Sequence, residues 1–393
     1  MFLTNVAASN YVAPWAESFT ERLDRLSQGS RHVAYVYPYP NMATFRYRVM
    51  NMVEALETTN HAVGASWFFR DELCHRDAII ERADVIVICH AKYSVDFAQL
   101  VARAHARGRR VLFDIDDLVF DSRYVHLILN HLGNATVDAD LDYWFADLGR
   151  YGALLRLCDG AILTNEYLAE RVRDFCDLPT AIVPNFMNRS QLDHSARILD
   201  SKRSAGFARD GRIHVGYFSG SATHRRDFAV MADALSGLMA VDPRIVLRIV
   251  GFLEIDERFA CFGDRVEVFP MQNILDLQRL IGQVEINVVP LQDNAFTNCK
   301  SELKVFEAAA VGTISIASPT FTLRGAIRDG ETGYIAPAHQ WQQTLTRAID
   351  RLDDYPAMAM AAAAAALAHY VPEVQGPAVI RALFGDWVED PTS

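Results

Sequence analysis

The sequence predicts an α/β protein built from two doubly wound, mostly parallel sheets, one in each half of the chain. Three observations carry this. From residue 31 onward, apolar runs of strand length alternate with amphipathic runs of helix length, the pattern of a parallel sheet with helices on both faces. The alternation stops over the polar stretch 189–212 and then restarts. The chain has 393 residues, 51% of them hydrophobic, enough for two separate cores.

The elements follow in order. HVAYVYPY reads as a strand and FRYRVMNMVEALE as an amphipathic helix. AVGASWF, DVIVICH and RVLFDID read as strands, with the helix YSVDFAQLVARAHARG between the last two. CDGAILTN and TAIVPN are two further short strands. Residues 189–212 lack any strand pattern and read as the linker. Beyond it come the strand IHVGYFSG, the helix DFAVMADALSGLMAV, the strands RIVLRIVG and VEVFP, and the helix ILDLQRLIGQ. The strand VEINVVPL, a polar loop, a helix from Ser301 to Gly312 and the strand TISIAS complete a strand–loop–helix–strand unit. LRGAIRDG is helix-like, ETGYIA a turn, and WQQTLTRAIDRL and PAMAMAAAAAALAHYV are helices. The predicted organisation is a first domain over 1–195 with a helical extension over 1–30, a second over 205–370, and a tail over 371–393 packing back on the first.

Composition excludes several classes. A net charge of −11 argues against broad nucleic-acid binding, which needs a basic face. No run of about 18 apolar residues is present, so no spanning helix is expected. The N-terminus is interrupted by polar residues and lacks a basic start, unlike a secretory signal. The six cysteines show no CxxC or metal-ligand spacing and suit reduced thiols in a cytoplasm.

The segment NCKSELKVFEAAAVGTISIAS is the most informative. Loops of this kind lie at the carboxyl ends of the strands, where doubly wound sheets bind ligands. Lys300, Lys304 and Glu307 are spaced i, i+4, i+7 and share one helix stripe. Two cations at a helix start suit a diphosphate, and a carboxylate one turn deeper suits sugar hydroxyls. The same stripe also fits a solvated helix face. The first half has no GxGxxG after its first strand, against a dinucleotide dehydrogenase. In FDIDDLVFD, Asp114, Asp116 and Asp117 follow a strand and are open to binding a metal or capping a helix. His90, Asn165 and Asn185 also end strands. Arg46 and Arg48 suit either an acceptor phosphate or the exposed side of a helix.

These motifs resemble those of the GT-B glycosyltransferases, specifically the retaining enzymes of glycosyltransferase family four. The resemblance runs from about residue 31 to 370 and rests chiefly on GYFSGSATHRRDF, VVPL, KSELKVFEAAAVGTISIAS and RDGETGYIA. It implies two Rossmann-like domains facing each other across a cleft, with a nucleotide-diphosphate sugar held by the second and a glycan or lipid-linked glycan acceptor by the first. Glu307 matches the second glutamate of the family's E-x7-E pattern, which holds the donor ribose, while Cys299 replaces the first. The K-S-x-x-K-x-x-E form looks closer to a sub-branch that makes bacterial surface polysaccharides, including rhamnosyltransferases that share the FDIDDLVFD-like stretch. By this resemblance Arg225, Arg226, Lys300 and Lys304 neutralise the leaving diphosphate. Gly220 and Ser221 let the backbone approach it, Ser301 sits at the helix start beside it, and Asp116 meets the transferred sugar. Transfer without a bound metal or other cofactor is expected, with peripheral membrane association open. A nucleotide-sugar 2-epimerase and a non-catalytic sugar-nucleotide binder are the alternatives.

Overall fold

The computed structural model describes the chain except residues 10, 42–43, 60–61, 133–136, 221–224, 254–256 and 386–393, and the side chains of 131, 132 and 225. Two six-stranded sheets organise it. The first contains β1 (Arg31–Tyr37), β2 (Val63–Phe69), β3 (Val85–Cys89), β4 (Arg110–Ile115), β5 (Gly160–Leu163) and β6 (Thr180–Ile182), in the order β2-β1-β3-β4-β5-β6. The second contains β7 (Ile213–Ser219), β8 (Ile245–Gly251), β9 (Val266–Phe269), β10 (Ile286–Val289), β11 (Ile314–Ala317) and β12 (Gly333–Ile335), in the order β12-β11-β10-β7-β8-β9. All pairings are parallel. Their strands are near-continuous apolar runs because helices cover both faces.

The strand order reverses between β1 and β3 in the first sheet and between β10 and β7 in the second. Each reversal leaves a crevice beyond the carboxyl ends of the strands. The loops after β3 and β4 open on the first crevice, and that after β10 on the second. Register sharpens this: Cys89 is paired with Asp114, so β3 and β4 end together and His90 comes beside Asp116.

Several local expectations change. The expected linker contains a 16-residue helix, Arg189–Ser204, capped by the Asn188 side chain on Gln191 N–H. It buries Gln191, His194, Ser195, Ile198, Leu199 and Lys202 on one face, a largely polar set. ETGYIA is not only a turn, because Gly333–Ile335 adds an edge strand. The helix expected from Ser301 runs over Leu303–Ala310, after a separate short helix at Ala295–Asn298. Ser301 does not cap it, since its hydroxyl instead accepts a hydrogen bond from Asn185. Gly312 follows with φ +64°, a left-handed turn that ends the helix.

The chain ends cross over. Phe2 is buried in the core of the second half, against Phe207 and Tyr355. The C-terminal helix Pro372–Phe384 buries Val379, Ala382 and Leu383 in the core of the first half. The stretch Leu352–Phe384 is, among the described residues, long and apolar enough by length and composition to cross a membrane, against the expectation of none. In the fold it is broken into the helices Tyr355–Leu367 and Pro372–Phe384, and their apolar faces are buried in the cores. All six cysteines are free.

Candidate functional site

The segment after β10 reaches across to the first half at several points. Asn165 Nδ2 donates to the Cys299 carbonyl at 2.8 Å, and Asn185 Nδ2 donates to Ser301 Oγ at 2.9 Å. Lys300 Nζ lies 3.2 Å from Asp117 Oδ1. Arg46 Nη2 lies 3.0 Å from Glu307 Oε1. The two crevices are thus joined into one cleft, with polar side chains from both sheets on its walls.

Lys300 and Lys304 are not an exposed stripe. Lys300 also lies over the Phe296 ring, 4.5 Å from its centroid. Burial works against its charge, but Asp117 and Asp227 outweigh that and hold it more basic than usual. Lys304 sits 5.3 Å from the centre of the Tyr217 ring, and among the described residues no carboxylate pairs with it. Burial pushes its ammonium down to about 8; Asp227 and Glu307 oppose that, and Lys300 adds to it. A half-buried ammonium without a carboxylate partner is costly and is stabilised by an anion. Asp227 is fully buried, accepts a hydrogen bond from Gln292 N–H at 3.1 Å, and acts on both lysines. Its signal in the sequence was slight, a lone carboxylate after two arginines at a helix start.

Glu307 is 3% exposed. Its Oε1 accepts from Arg46, from the Tyr47 hydroxyl and from Gln191 Nε2 at 3.0 Å. Its Oε2 accepts no hydrogen bond among the described residues. Tyr47 and Gln191 had no signal in local pattern, because both come from elements distant in sequence. Cys299 lies in the apolar core of the first half, where burial pushes its thiol up to about 12.

In the first half the arginines depart from both readings of them. Arg48 is fully buried and grips Asp114 with two hydrogen bonds, Nε to Oδ1 at 2.8 Å and Nη2 to Oδ2 at 2.9 Å. Its Nη1 donates to the Val183 carbonyl at 2.7 Å and to Asn185 Oδ1 at 3.2 Å. It is neither on an exposed helix face nor free for a phosphate. Arg46 is likewise buried, held by Tyr47 and Glu307. Each of the three aspartates has its own partners: Asp114 has Arg48, Asp117 has Lys300, and Asp116 has His90 and Thr44.

His90 Nδ1 lies 3.2 Å from Asp116 Oδ1, an ion-pair distance without the alignment of a full hydrogen bond. His90 takes φ +45°, a left-handed backbone that is strained for its side chain. Burial disfavours the imidazolium, but Asp116 more than offsets it and holds the ring basic. Burial likewise disfavours the Asp116 carboxylate, and His90 holds it ionised.

Gly220 follows β7 and is exposed, with open space where a Cβ would stand. Gly251, beside the end of β7, takes φ +99°, and a Cβ there would meet the Ser219 carbonyl at 2.0 Å. Arg226 donates to Asn130 Oδ1 across the cleft. Ser221 and the side chain of Arg225 lie outside the described residues. A three-ligand cluster, Asp210, His214 and Glu285, lies by the start of β7, away from the cleft. The Met1 ammonium sits in it, 2.7 Å from His214 Nδ1 and 3.3 Å from Glu285 Oε1.

Comparison with known proteins places this geometry. Residues 213–354 match the family described as glycosyl transferases group 1. No curated protein matches the chain by sequence. The Anabaena protein HepE, solved in complex with UDP, superposes with a TM-score of 0.59 at 12% identity, over 90% of this chain and 99% of its own. WaaG, a glycosyltransferase involved in lipopolysaccharide biosynthesis, gives 0.61 at 13% identity, over 90% and 100%. Sucrose-phosphate synthase from Thermosynechococcus elongatus gives 0.55 at 16% identity, over 88% and 97%. The fold is GT-B, two Rossmann-like domains of six strands each.

Proposed function

We propose that the chain transfers a sugar from a nucleotide-diphosphate sugar to a glycan or lipid-linked glycan. The observation that carries this is Lys304, a half-buried ammonium with which no carboxylate pairs among the described residues, four residues from Lys300 at the switch point of the second sheet. A diphosphate supplies the missing negative charge. The family match covers the half that holds both lysines, and HepE, a protein of the same fold, was solved with UDP.

In this reading Lys300, Lys304, Arg225 and Arg226 hold the diphosphate and stabilise the charge that develops as it leaves. Gly220 and Ser221 admit it to the backbone, and Ser301 lies beside it. Glu307 serves the ribose through its unengaged oxygen. Asp116, kept ionised by His90, accepts a hydrogen bond from the transferred sugar or the incoming hydroxyl. No double-displacement nucleophile stands out, so the departing phosphate assists the acceptor hydroxyl on the same face, with retention. The proposed setting is surface-polysaccharide synthesis in the cytoplasm, at or near the inner face of a membrane, without a required metal.

The test is calorimetry with UDP, GDP, dTDP and the matching monophosphates, followed by assay of nucleotide release with and without glycan acceptors. Tight binding of a diphosphate over its monophosphate, with release stimulated by acceptor, is expected. No preference for diphosphates would overturn the reading. Diphosphate binding without transfer would leave a non-catalytic binder, and turnover of donor alone an epimerase.

A further inference from the structure

The second sheet carries a polar cluster at the amino ends of its strands, the end opposite the cleft. His214 lies on β7, Glu285 just before β10, and Asp210 just before β7. β7 and β10 pair side by side, so the sheet itself brings the histidine and the glutamate together. One ligand atom from each of the three residues lies within 4.8 Å of the others. The Met1 ammonium stands among them. It pairs with Asp210 Oδ1, donates to His214 Nδ1 at 2.7 Å and lies 3.3 Å from Glu285 Oε1. The last approach lacks hydrogen-bond alignment, so this oxygen of a fully buried carboxylate accepts no hydrogen bond among the described residues.

Each ligand is oriented by other groups. Glu285 Oε2 accepts from the His214 N–H at 2.7 Å, and Asp210 Oδ1 accepts from the Arg212 N–H at 3.0 Å. His214 Nε2 faces Glu267 Oε1 at 3.9 Å, and Arg248 holds that glutamate at 2.7 Å. A carboxylate behind one ring nitrogen turns the other toward a cation, as in metal sites. An ammonium has no lone pair, so His214 Nδ1 is the acceptor of its contact and the imidazole is neutral there. Two carboxylates and a neutral imidazole hold two negative charges. The ammonium cancels one of them, and a divalent ion cancels both.

We propose that Asp210, His214 and Glu285 form a site for a divalent transition metal of the zinc class, and that the ammonium occupies the cation position when the metal is absent. An imidazole nitrogen among the donors selects such a metal over calcium or magnesium, which take oxygen ligands. Metal–ligand bonds of about 2.0–2.2 Å require the cluster to contract. The outer members can move: the Met1 and Asp210 side chains are 42% and 28% exposed, whereas His214 and Glu285 are fixed in the sheet. Metal entry thus displaces the ammonium to solvent and draws Asp210 inward. The bound ion ties β7 to β10 on the side away from the cleft. On chelation the ammonium returns, so transfer does not depend on the metal.

The test is calorimetry of Zn²⁺ binding to the full chain after treatment with EDTA and dialysis, with Co²⁺ absorption reporting the donor set. One zinc per chain is expected, with Co²⁺ bands of a nitrogen–oxygen site. Asp210→Asn, a surface change that spares the core, and Glu285→Gln should each weaken zinc about tenfold or more. Zinc should raise the melting temperature of the wild type and leave that of Asp210→Asn unchanged. Reductive methylation of the Met1 amine, followed by mass spectrometry, should run faster with zinc present. Zinc bound equally by the wild type and a folded Asp210→Asn is held adventitiously elsewhere and overturns the site. Calcium binding as tightly as zinc overturns the choice of metal. An amine that zinc leaves unchanged or protects overturns the displacement.

Discussion

Arg46 and Glu307 form a buried ion pair between the two halves of the molecule, 261 residues apart in sequence and 3.0 Å apart in space. The same carboxylate that suits a ribose is therefore also a fastening between the domains. The two roles separate by measurement. Glu307→Ala is expected to weaken nucleotide binding by about 1–3 kcal/mol, the cost of an unpaired polar set. It should also lower stability, because Arg46 is left buried without its partner. Adding Arg46→Met should recover stability but not affinity. Calorimetry and thermal melts on the single and double variants give both numbers; affinity unchanged in a folded Glu307→Ala would leave only the fastening.

Lys304 provides a pH signature. Its ammonium titrates near about 8 in the free protein, so the charged form dominates below that and is lost as pH rises through it. In the proposed site a diphosphate favours the charged form. UDP affinity should therefore fall as pH is raised from 7 to 9, and Lys304→Arg, charged throughout, should flatten the dependence. A wild-type profile as flat as that of the arginine variant would remove Lys304 from the diphosphate site.

The cradle predicts rates as well as affinity. Lys304→Ala and Arg225→Ala should each slow transfer by roughly 2–4 kcal/mol, the order expected for one preorganised donor at a developing charge. Single-turnover measurement of nucleotide release decides this. Near-normal rates in both variants would exclude the pairing of these two loops.

Much of this was legible because parallel strands are buried on both faces and read as continuous apolar runs: VEINVVPL, for example, contains β10 (Ile286–Val289). The site helix was legible in part: Lys304 and Glu307 lie on it, whereas Lys300, read on the same stripe, stands in the bend before it. The helix Arg189–Ser204 was not, since only Ile198 and Leu199 mark its buried face. Much of the rest of that face is polar and partnered from afar, Gln191 by Glu307, Ser195 by Gln278, and Lys202 by Thr313 and the Gly312 carbonyl, while His194 has no hydrogen-bond partner among the described residues. Arg48 failed for the same reason. An arginine in an amphipathic run reads as exposed unless its partner is known, and Asp114 lies 66 residues away.

That pair yields a stability prediction. Arg48→Met should destabilise the chain by about 3–5 kcal/mol, because Asp114 is left as an uncompensated buried charge. The double change Arg48→Met, Asp114→Leu should recover most of the loss. Denaturant midpoints are the measurement, and a single variant as stable as the parent would show that the pair carries no weight in the fold.

Asp116 is the most exacting case, because its surroundings support two roles. It is held ionised by His90 and hydrogen-bonded by Thr44 Oγ1 at 3.3 Å, so it is positioned whether or not substrate is present. If it contacts the transferred sugar or the acceptor hydroxyl, Asp116→Asn keeps its shape and hydrogen bonds but removes the charge. UDP affinity should then stay within about twofold, since the proposed nucleotide site lies in the other sheet, while transfer falls roughly a hundredfold or more. The imidazolium of His90 loses its stabilising partner, so its titration, followed by NMR, should move to lower pH. That shift verifies the pairing independently of catalysis. EDTA should leave wild-type transfer intact. Activity abolished by EDTA and restored by magnesium or manganese would instead assign Asp114, Asp116 and Asp117 to a metal. An unfolded Asp116→Asn would make the residue a structural support for the His90 turn.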